Sequence, residues 1–181
     1  MDLLERKDAL DAADRRRIAQ VRETALDMVD GVRDIVWYVN PEHDSLEALA
    51  RRMKRVSSTL LPGREVEMAI ELPDVPVAID MAFRRNVFLV FKELLHNVAR
   101  HSRAGRVGIR VRGVGDRLAL QVQDDGVGFD PALASAGDGL ASLRRRASQV
   151  GGTLEIQSAA GAGTRVSFEA PLHATVRGRE L

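Results

Sequence analysis

Seven apolar residues between Ile18 and Val39 recur at spacings of 3, 4, 3, 4, 3 and 4: Ile18, Val21, Ala25, Met28, Val32, Ile35 and Val39. No other local feature restricts the chain as tightly. Only an α-helix brings every third and fourth residue back to one line. A seam this regular is the a/d pattern of a coiled coil, which buries itself against another helix. The helix is expected from Asp14 to Asn40-Pro41, where proline removes an N–H and biases Asn40 toward extended backbone. The seam can be covered within one chain or by a second copy, and self-association is the expectation. Residues 1–13, polar and rich in Asp and Ala, read as a frayed start or the end of a helical hairpin.

Beyond Pro41 the period changes repeatedly. Asp44-Ser45-Leu46-Glu47 has the form of a helix start, with Asp44 as N-cap and Glu47 reaching back. Leu46, Leu49, Met53, Val56 and Leu60 continue it as an amphipathic helix that Pro62-Gly63 ends. Residues 65–72 alternate as a strand. A third helix is expected from Asp80 to about Ser102. Arg106–Val114 and Arg117–Asp124 alternate around Gly115-Asp116, the pattern of a hairpin. A loop over Pro131–Asp138 leads into a helix near Gly139–Val150, which Gly151-Gly152 ends. Two last strands follow, Thr153–Ser158 and Thr164–Ala170, and then a polar tail. Helices interleaved with mostly antiparallel strands make the class α+β, with a helix layer on one face of a sheet.

Composition narrows the function classes. At 181 residues and 45% apolar, the chain can bury a real core. Its net charge of +1, with the charges interspersed, gives no field for nucleic acid or an anionic membrane. Cysteine is absent, which removes disulfides and thiolate metal sites and fits a reducing, cytoplasmic setting. No apolar run is long enough to span a bilayer, and no signal peptide is evident.

The chemistry begins on the third helix, in Lys92-Glu93-Leu94-Leu95-His96-Asn97-Val98-Ala99-Arg100-His101. At helical pitch Glu93, Asn97 and Arg100 fall within roughly 60° of one another, with His101 alongside. Val87, Phe91, Leu94 and Val98 form the opposite, core face. Such a stripe is either solvated or the polar wall of a pocket. Downstream lie three glycine motifs. Asp124-Asp125-Gly126-Val127-Gly128 follows a strand, where glycines permit close backbone approach and a carboxylate can accept from an amino group. A plain turn would use the same residues; a calcium loop would need further oxygen ligands. Gly137-Asp138-Gly139-Leu140 opens a helix whose free N–H groups suit phosphate, or serves as an ordinary loop. Gly161-Ala162-Gly163-Thr164, taken alone, is a hairpin turn.

Together, in this order, "FKELLHNVARHS", "DDGVGFD", "GDGLASLRRRA" and "GAGTRVSF" resemble the N, G1, G2 and G3 boxes of the GHKL (Bergerat-fold) ATP-binding domain. The likeness covers roughly Asp80 to Leu172. It is strongest to sensor histidine kinases of the subclass usually paired with LuxR-type response regulators. The resemblance implies a two-layer α/β sandwich, a mixed sheet with helices on one face, preceded by the long amphipathic helix. It implies ATP and Mg²⁺ as cofactors. Asn97 would ligate Mg²⁺ through its amide oxygen, and Glu93 would be the catalytic acid that holds a metal-bound water or polarises the attacking group. Arg100 and His101 would reach phosphate oxygens, and Asp124 would accept from the adenine amino group. Gly126 and Gly128 would pass close to the base, Gly137 and Gly139, followed by Leu140, would flank a lid over the phosphates, and Thr164 would support the adenine end. Asp138 departs from the pattern, because a carboxylate beside a triphosphate is repelled unless it turns outward.

"DGVRDIVWYVNP" followed by "EHDSL" also resembles the second helix of a dimerisation and phosphotransfer hairpin and its exit, in agreement with the seam. The first helix of such a hairpin, with its acceptor histidine, is not found. His43 precedes Asp44 as in an acceptor box, but it follows a helix break; His96 and His101 lie on the third helix and His173 in the tail. The expected organisation is a partial dimerisation helix and linker over residues 1–44, an ATP-binding catalytic domain over 45–172 and a tail over 173–181. The expected activity is ATP-dependent protein-histidine kinase chemistry, without autophosphorylation by this chain as given. Expected partners are ATP, a histidine-bearing acceptor helix, a LuxR-type response regulator and a second copy through residues 18–39, with no direct contact to nucleic acid. The location expected is cytoplasmic, with a membrane anchor in a parent protein left open. Two alternatives are an anti-sigma-factor serine kinase of the same superfamily and a nucleotide-switched binding module.

Overall fold

A computed structural model of the protein describes residues 12–131 and 138–172. The expected frayed start before Ala12, the loop residues 132–137 and the polar tail lie outside the described residues. The chain divides between Asn40 and Pro41 into two compact units.

The first unit is helix α1, Ala12–Val39. Its length, about 42 Å at 1.5 Å per residue, follows from the absence of proline and from an unbroken apolar period. The seam points outward: Ile18, Val21, Met28, Val32, Ile35 and Val39 are between 54% and 69% exposed.

The second unit opens with a 3₁₀ turn, Pro41–His43, followed by α2 (Leu46–Leu60), β1 (Glu65–Glu71), α3 (Met81–Asn97) and a π turn over Val98–Ser102. Then come β2 (Arg106–Val114), β3 (Arg117–Asp124), α4 (Asp138–Gln149), β4 (Thr153–Ser158) and β5 (Thr164–Pro171). The five strands form one sheet in the order β1-β2-β3-β5-β4. β1 runs parallel to β2, and the other pairs are antiparallel. The mixture has a simple origin. β1 and β2 are separated by α3, a crossover long enough for parallel pairing, whereas Gly115-Asp116 permits only a hairpin.

Strand alternation decides which face is buried. Val107, Ile109 and Val111 of β2, Leu118, Leu120 and Val122 of β3, and Val166 and Phe168 of β5 all point to the helix side and are buried. They meet Phe88, Phe91 and Leu95 of α3, Met53 of α2 and Leu143 of α4, each buried in turn. The other sheet face is polar and knit by cross-strand pairs such as Arg112–Glu71 (2.9 Å) and Arg117–Glu169 (3.2 Å). Two layers result, helices over one face of a mixed sheet, as the sequence predicts.

Two local expectations change. The N-cap of α2 is Ser45, whose Oγ accepts the Ala48 N–H (3.1 Å), not Asp44. Residues 44–46 instead pair with the segment before α3, through Leu46 N–H to the Val77 carbonyl (2.9 Å) and Ile79 N–H to the Asp44 carbonyl (3.2 Å). Glu47 therefore turns to the Val77 N–H (3.3 Å), and Asp44 pairs with the buried Arg84 guanidinium at 2.7 Å. The third helix also does not run regularly to Ser102. It is α-helical to Asn97 and then widens into the π turn, which ends at Arg103 in the left-handed region (φ 54°).

Candidate functional site

A cavity of about 530 Å³ lies between α3, its π turn, the start of α4 and the ends of β3, β4 and β5. α3 supplies one wall because its apolar stripe is buried in the core, which leaves the next stripe to face the opening. Asp80 caps that helix at its start, its Oδ1 accepting the Phe83 N–H at 2.7 Å. Glu93, Asn97, Arg100 and His101 all line the cavity, with Arg100 and His101 carried on the π turn. Glu93 and Asn97 are half-buried and the two cationic-type residues are exposed at the rim.

At the opposite end stands Asp124, 6% exposed. It is in phase with Leu118, Leu120 and Val122, so alternation carries its carboxylate to the buried face. Its register partner is Thr164, as that of Val122 is Val166. The Gly126 N–H donates to the carboxylate at 2.9 Å, and the Thr164 backbone N–H lies on the same side of it. Burial pushes the Asp124 carboxyl above its usual range, and those two N–H groups pull the other way. Asp125 is the reverse case. Exposed, it accepts from the Arg106 and Gly105 N–H groups (both 2.9 Å) and lies below the usual range, chiefly through the Arg106 N–H.

The turn after Asp124 is held by contacts that exclude a Cβ. One on Gly126 would collide with the Ser102 carbonyl, and one on Gly128 (φ 58°) with that of Ala159. Gly128 lines the cavity, whereas Gly126 packs beneath it on the π turn. Ser102 is the buried hinge of that contact. Its hydroxyl donates to the Val98 carbonyl (2.8 Å) and accepts the Ala104 N–H (3.0 Å), while its own carbonyl takes the Val127 N–H (2.8 Å).

Gly139 and Leu140, at the start of α4, also line the cavity, and a Cβ on Gly139 would lie 3.1 Å from Glu93 Oε1. Gly137 and the Asp138 side chain lie outside what is described. Thr164 lines the cavity beside Asp124. His43 sits in the 3₁₀ turn after α1, in keeping with a helix break. Sequence reasoning missed the apolar walls between the two ends: Leu94, Val98, Val122, Leu143, Ile156 and Val166. Their signal was ordinary core alternation, which does not tell a filled interior from the lining of a slot. It also missed Ser102, which lines the cavity and holds the π turn, and Asp125 and Ser158, whose bonds shape the turns rather than the cavity surface.

A slot with apolar sides and a carboxylate at its inner end suits a flat heteroaromatic ring carrying an amino group. The rim, with Asn97, Arg100 and His101 near a helix N-terminus, suits an anionic extension of that ring. Among the described residues no group of three or more His, Asp or Glu side chains converges to cage a metal. A cation here would draw on Asn97, Glu93 and the oxygens of its ligand, a donor set that fits a hard ion which keeps its waters.

Residues 84–174 match the family described as histidine kinase-, DNA gyrase B-, and HSP90-like ATPase. The sensor histidine kinase LiaS of Bacillus subtilis is 27% identical over 164 residues, covering 90% of this chain and 45% of LiaS. The sensor protein VraS of Staphylococcus aureus is 36% identical over 157 residues, covering 84% of this chain and 43% of VraS. The chain thus spans less than half the length of these curated relatives. Among solved structures, the Acinetobacter baumannii histidine kinase AdeS superposes with a TM-score of 0.61 over 94% of this chain and 89% of that one, at 18% identity.

Proposed function

Since the chain belongs to the histidine kinase-, DNA gyrase B-, and HSP90-like ATPase family and has sensor histidine kinases as homologues, we propose that it is the catalytic part of a two-component sensor kinase, moving the γ-phosphoryl of ATP to a histidine. The observation that carries this reading is the polarity of the cavity, with a buried carboxylate at one end and the Glu93–Asn97 face with Arg100 and His101 at the other.

The base enters the apolar slot, and its amino group donates to Asp124. Arg100 and His101 neutralise phosphate oxygens at the rim. Mg²⁺, held by the Asn97 amide oxygen, would offset charge on the triphosphate. Glu93 faces the same space and polarises the incoming imidazole or holds a water in place. Gly139 and Leu140 begin the segment that covers the phosphates. Such catalysis is almost wholly positioning and charge neutralisation. As the new P–N bond forms, the bond from the γ-phosphorus to the bridging oxygen breaks and ADP leaves.

The acceptor histidine belongs on a dimerisation hairpin, to which α1 contributes its exit helix. His43, in a 3₁₀ turn, is poorly placed for that role. The exposed α1 seam supports a homodimer, and a LuxR-type response regulator is the expected receiver of the phosphoryl group. No described helix is long and apolar enough to cross a membrane. Titration calorimetry with ATP, ADP and GTP, with and without Mg²⁺, tests the reading. It predicts adenine-selective binding strengthened by Mg²⁺ for ATP; equal affinity for ATP and GTP, or none for either, contradicts it. Label passed from γ-labelled ATP to a partner serine, with none on a supplied acceptor helix, would point to the serine-kinase alternative instead.

A further inference from the structure

Ser158 ends β4 and does not line the cavity, yet its hydroxyl meets three polar atoms that frame the cavity's inner end. The Phe129 N–H donates to Ser158 Oγ at 2.9 Å. The Gly163 carbonyl lies 3.0 Å from the same oxygen, and Thr164 Oγ1 also lies 3.0 Å away. A hydroxyl has one proton to give. The Gly163 carbonyl can only accept, so that contact is a hydrogen bond only if Ser158 donates to it. Were the Ser158 proton aimed at Thr164 instead, two bare oxygens would face each other at 3.0 Å. The arrangement in which all three contacts are bonds has one solution: Phe129 N–H to Ser158, Ser158 O–H to Gly163, and Thr164 O–H to Ser158.

Thr164 lines the cavity. With its hydroxyl proton committed to Ser158, Thr164 Oγ1 has only lone pairs left to present there. We propose that Ser158 is a specificity-determining positioning residue: it holds Thr164 Oγ1 as an acceptor only, so that Thr164 and Asp124 both present acceptors to the exocyclic group of a purine, where an amino group can donate and a carbonyl is repelled. This rests on the reading of the cavity as an ATP site and adds to it a second, indirect determinant of base choice. Asp124 alone would leave Thr164 free to rotate and donate to a carbonyl. Through the Ser158 relay that option is closed before the base arrives, at no cost in reorganisation.

The test compares ADP with IDP, which carries a carbonyl in place of the amino group and a proton on the adjacent ring nitrogen. Affinities are measured by calorimetry for the unmutated protein, Ser158→Ala, Ser158→Thr, Thr164→Val and the Ser158→Ala/Thr164→Val pair. In Ser158→Ala the preference for ADP narrows by about fivefold or more, the scale of one hydrogen bond. Thr164→Val narrows it by a similar factor, and the double variant narrows it no further than either alone. Ser158→Thr keeps the accepting oxygen and keeps the preference. Thr164→Val leaves the Ser158 bonds to Phe129 and Gly163 in place and tests the Thr164 acceptor by itself. Ser158→Cys, a weak acceptor at the same place, should narrow the preference as Ser158→Ala does, and it tests the relay even if Ser158→Ala does not fold. Equal weakening of ADP and IDP in the single variants, or an unchanged ratio, overturns the proposal. If the unmutated protein binds both nucleotides without preference, the nucleotide site stands and this proposal falls. If it binds neither, the ATP reading falls with it.

Discussion

Asp124 occupies a position that strand alternation reserves for an apolar side chain, in phase with Leu118, Leu120 and Val122. A buried carboxylate disfavours its charged form, so its folded pKa lies above the usual value. For stability, the sign follows directly. A raised carboxyl contributes stability that is full below the unfolded pKa and is lost as pH rises through the folded one. For binding the sign is opposite, because the adenine amino group favours the carboxylate. Calorimetry from about pH 8 down to about pH 5 should show ADP affinity falling at a pH above the ordinary carboxylate range. Asp124→Asn should lower affinity about 10- to 100-fold, the scale of a hydrogen bond to a charged group, and remove that part of the pH dependence. The remaining slope is then that of the phosphates. Asn97 bears the complementary prediction. Asn97→Ala should abolish the strengthening of ATP binding by Mg²⁺ while leaving the melting temperature of the free protein nearly unchanged; a Mg²⁺ response equal to that of the unmutated protein removes Asn97 from the metal role.

At the scale of elements, the two ends of the α3 sequence behave differently. Its start was readable at Asp80, which the structure makes the cap, and so was the apolar stripe that the structure buries. Its end was not, because the change from α-helix to π turn depends on partners distant in sequence. Ser102 ties the turn to Val98 on one side and to Val127 on the other, and no local propensity encodes Val127. The α1 seam is the opposite case, fully legible in sequence and more than half exposed in the structure. An apolar line of this length is costly in water and is expected to be covered by a second copy. Met28→Glu together with Val32→Glu should convert a dimer into a monomer in light scattering at equal concentration. A chain already monomeric before mutation contradicts self-association through this seam.

Within the second unit, the Asp44–Arg84 pair ties the segment before α2 to the first turn of α3. Arg84 is 1% exposed, and its pKa is lowered chiefly by burial, with Asp44 restoring part of the shift. Removing the partner of a buried charge is strongly destabilising, whereas removing both charges is not. Asp44→Ala should therefore cost about 3 kcal/mol in urea unfolding, and Asp44→Ala combined with Arg84→Met should recover most of it. Additive losses in the double variant would show that the pair is not coupled.

Element order, strand alternation and the identity of the polar stripe were local properties. Periods of 2 and 3.6 report which faces are apolar, and Gly115-Asp116, Pro62-Gly63 and Asn40-Pro41 report where the chain turns, whatever the rest of the molecule does. Strand order and the pairing of Asp124 with Thr164 were not local, and neither were the capping of α2 by Ser45 or the collision that requires glycine at position 126. Each depends on a contact between segments far apart in sequence, whose register is settled only when the apolar faces of the helices and the sheet are buried together. The sequence by itself determined the elements and the chemistry they carry. The tertiary structure alone decided that Asp124, Thr164, Glu93 and Asn97 share one cavity, because only packing brings the end of a strand opposite the exposed stripe of a helix.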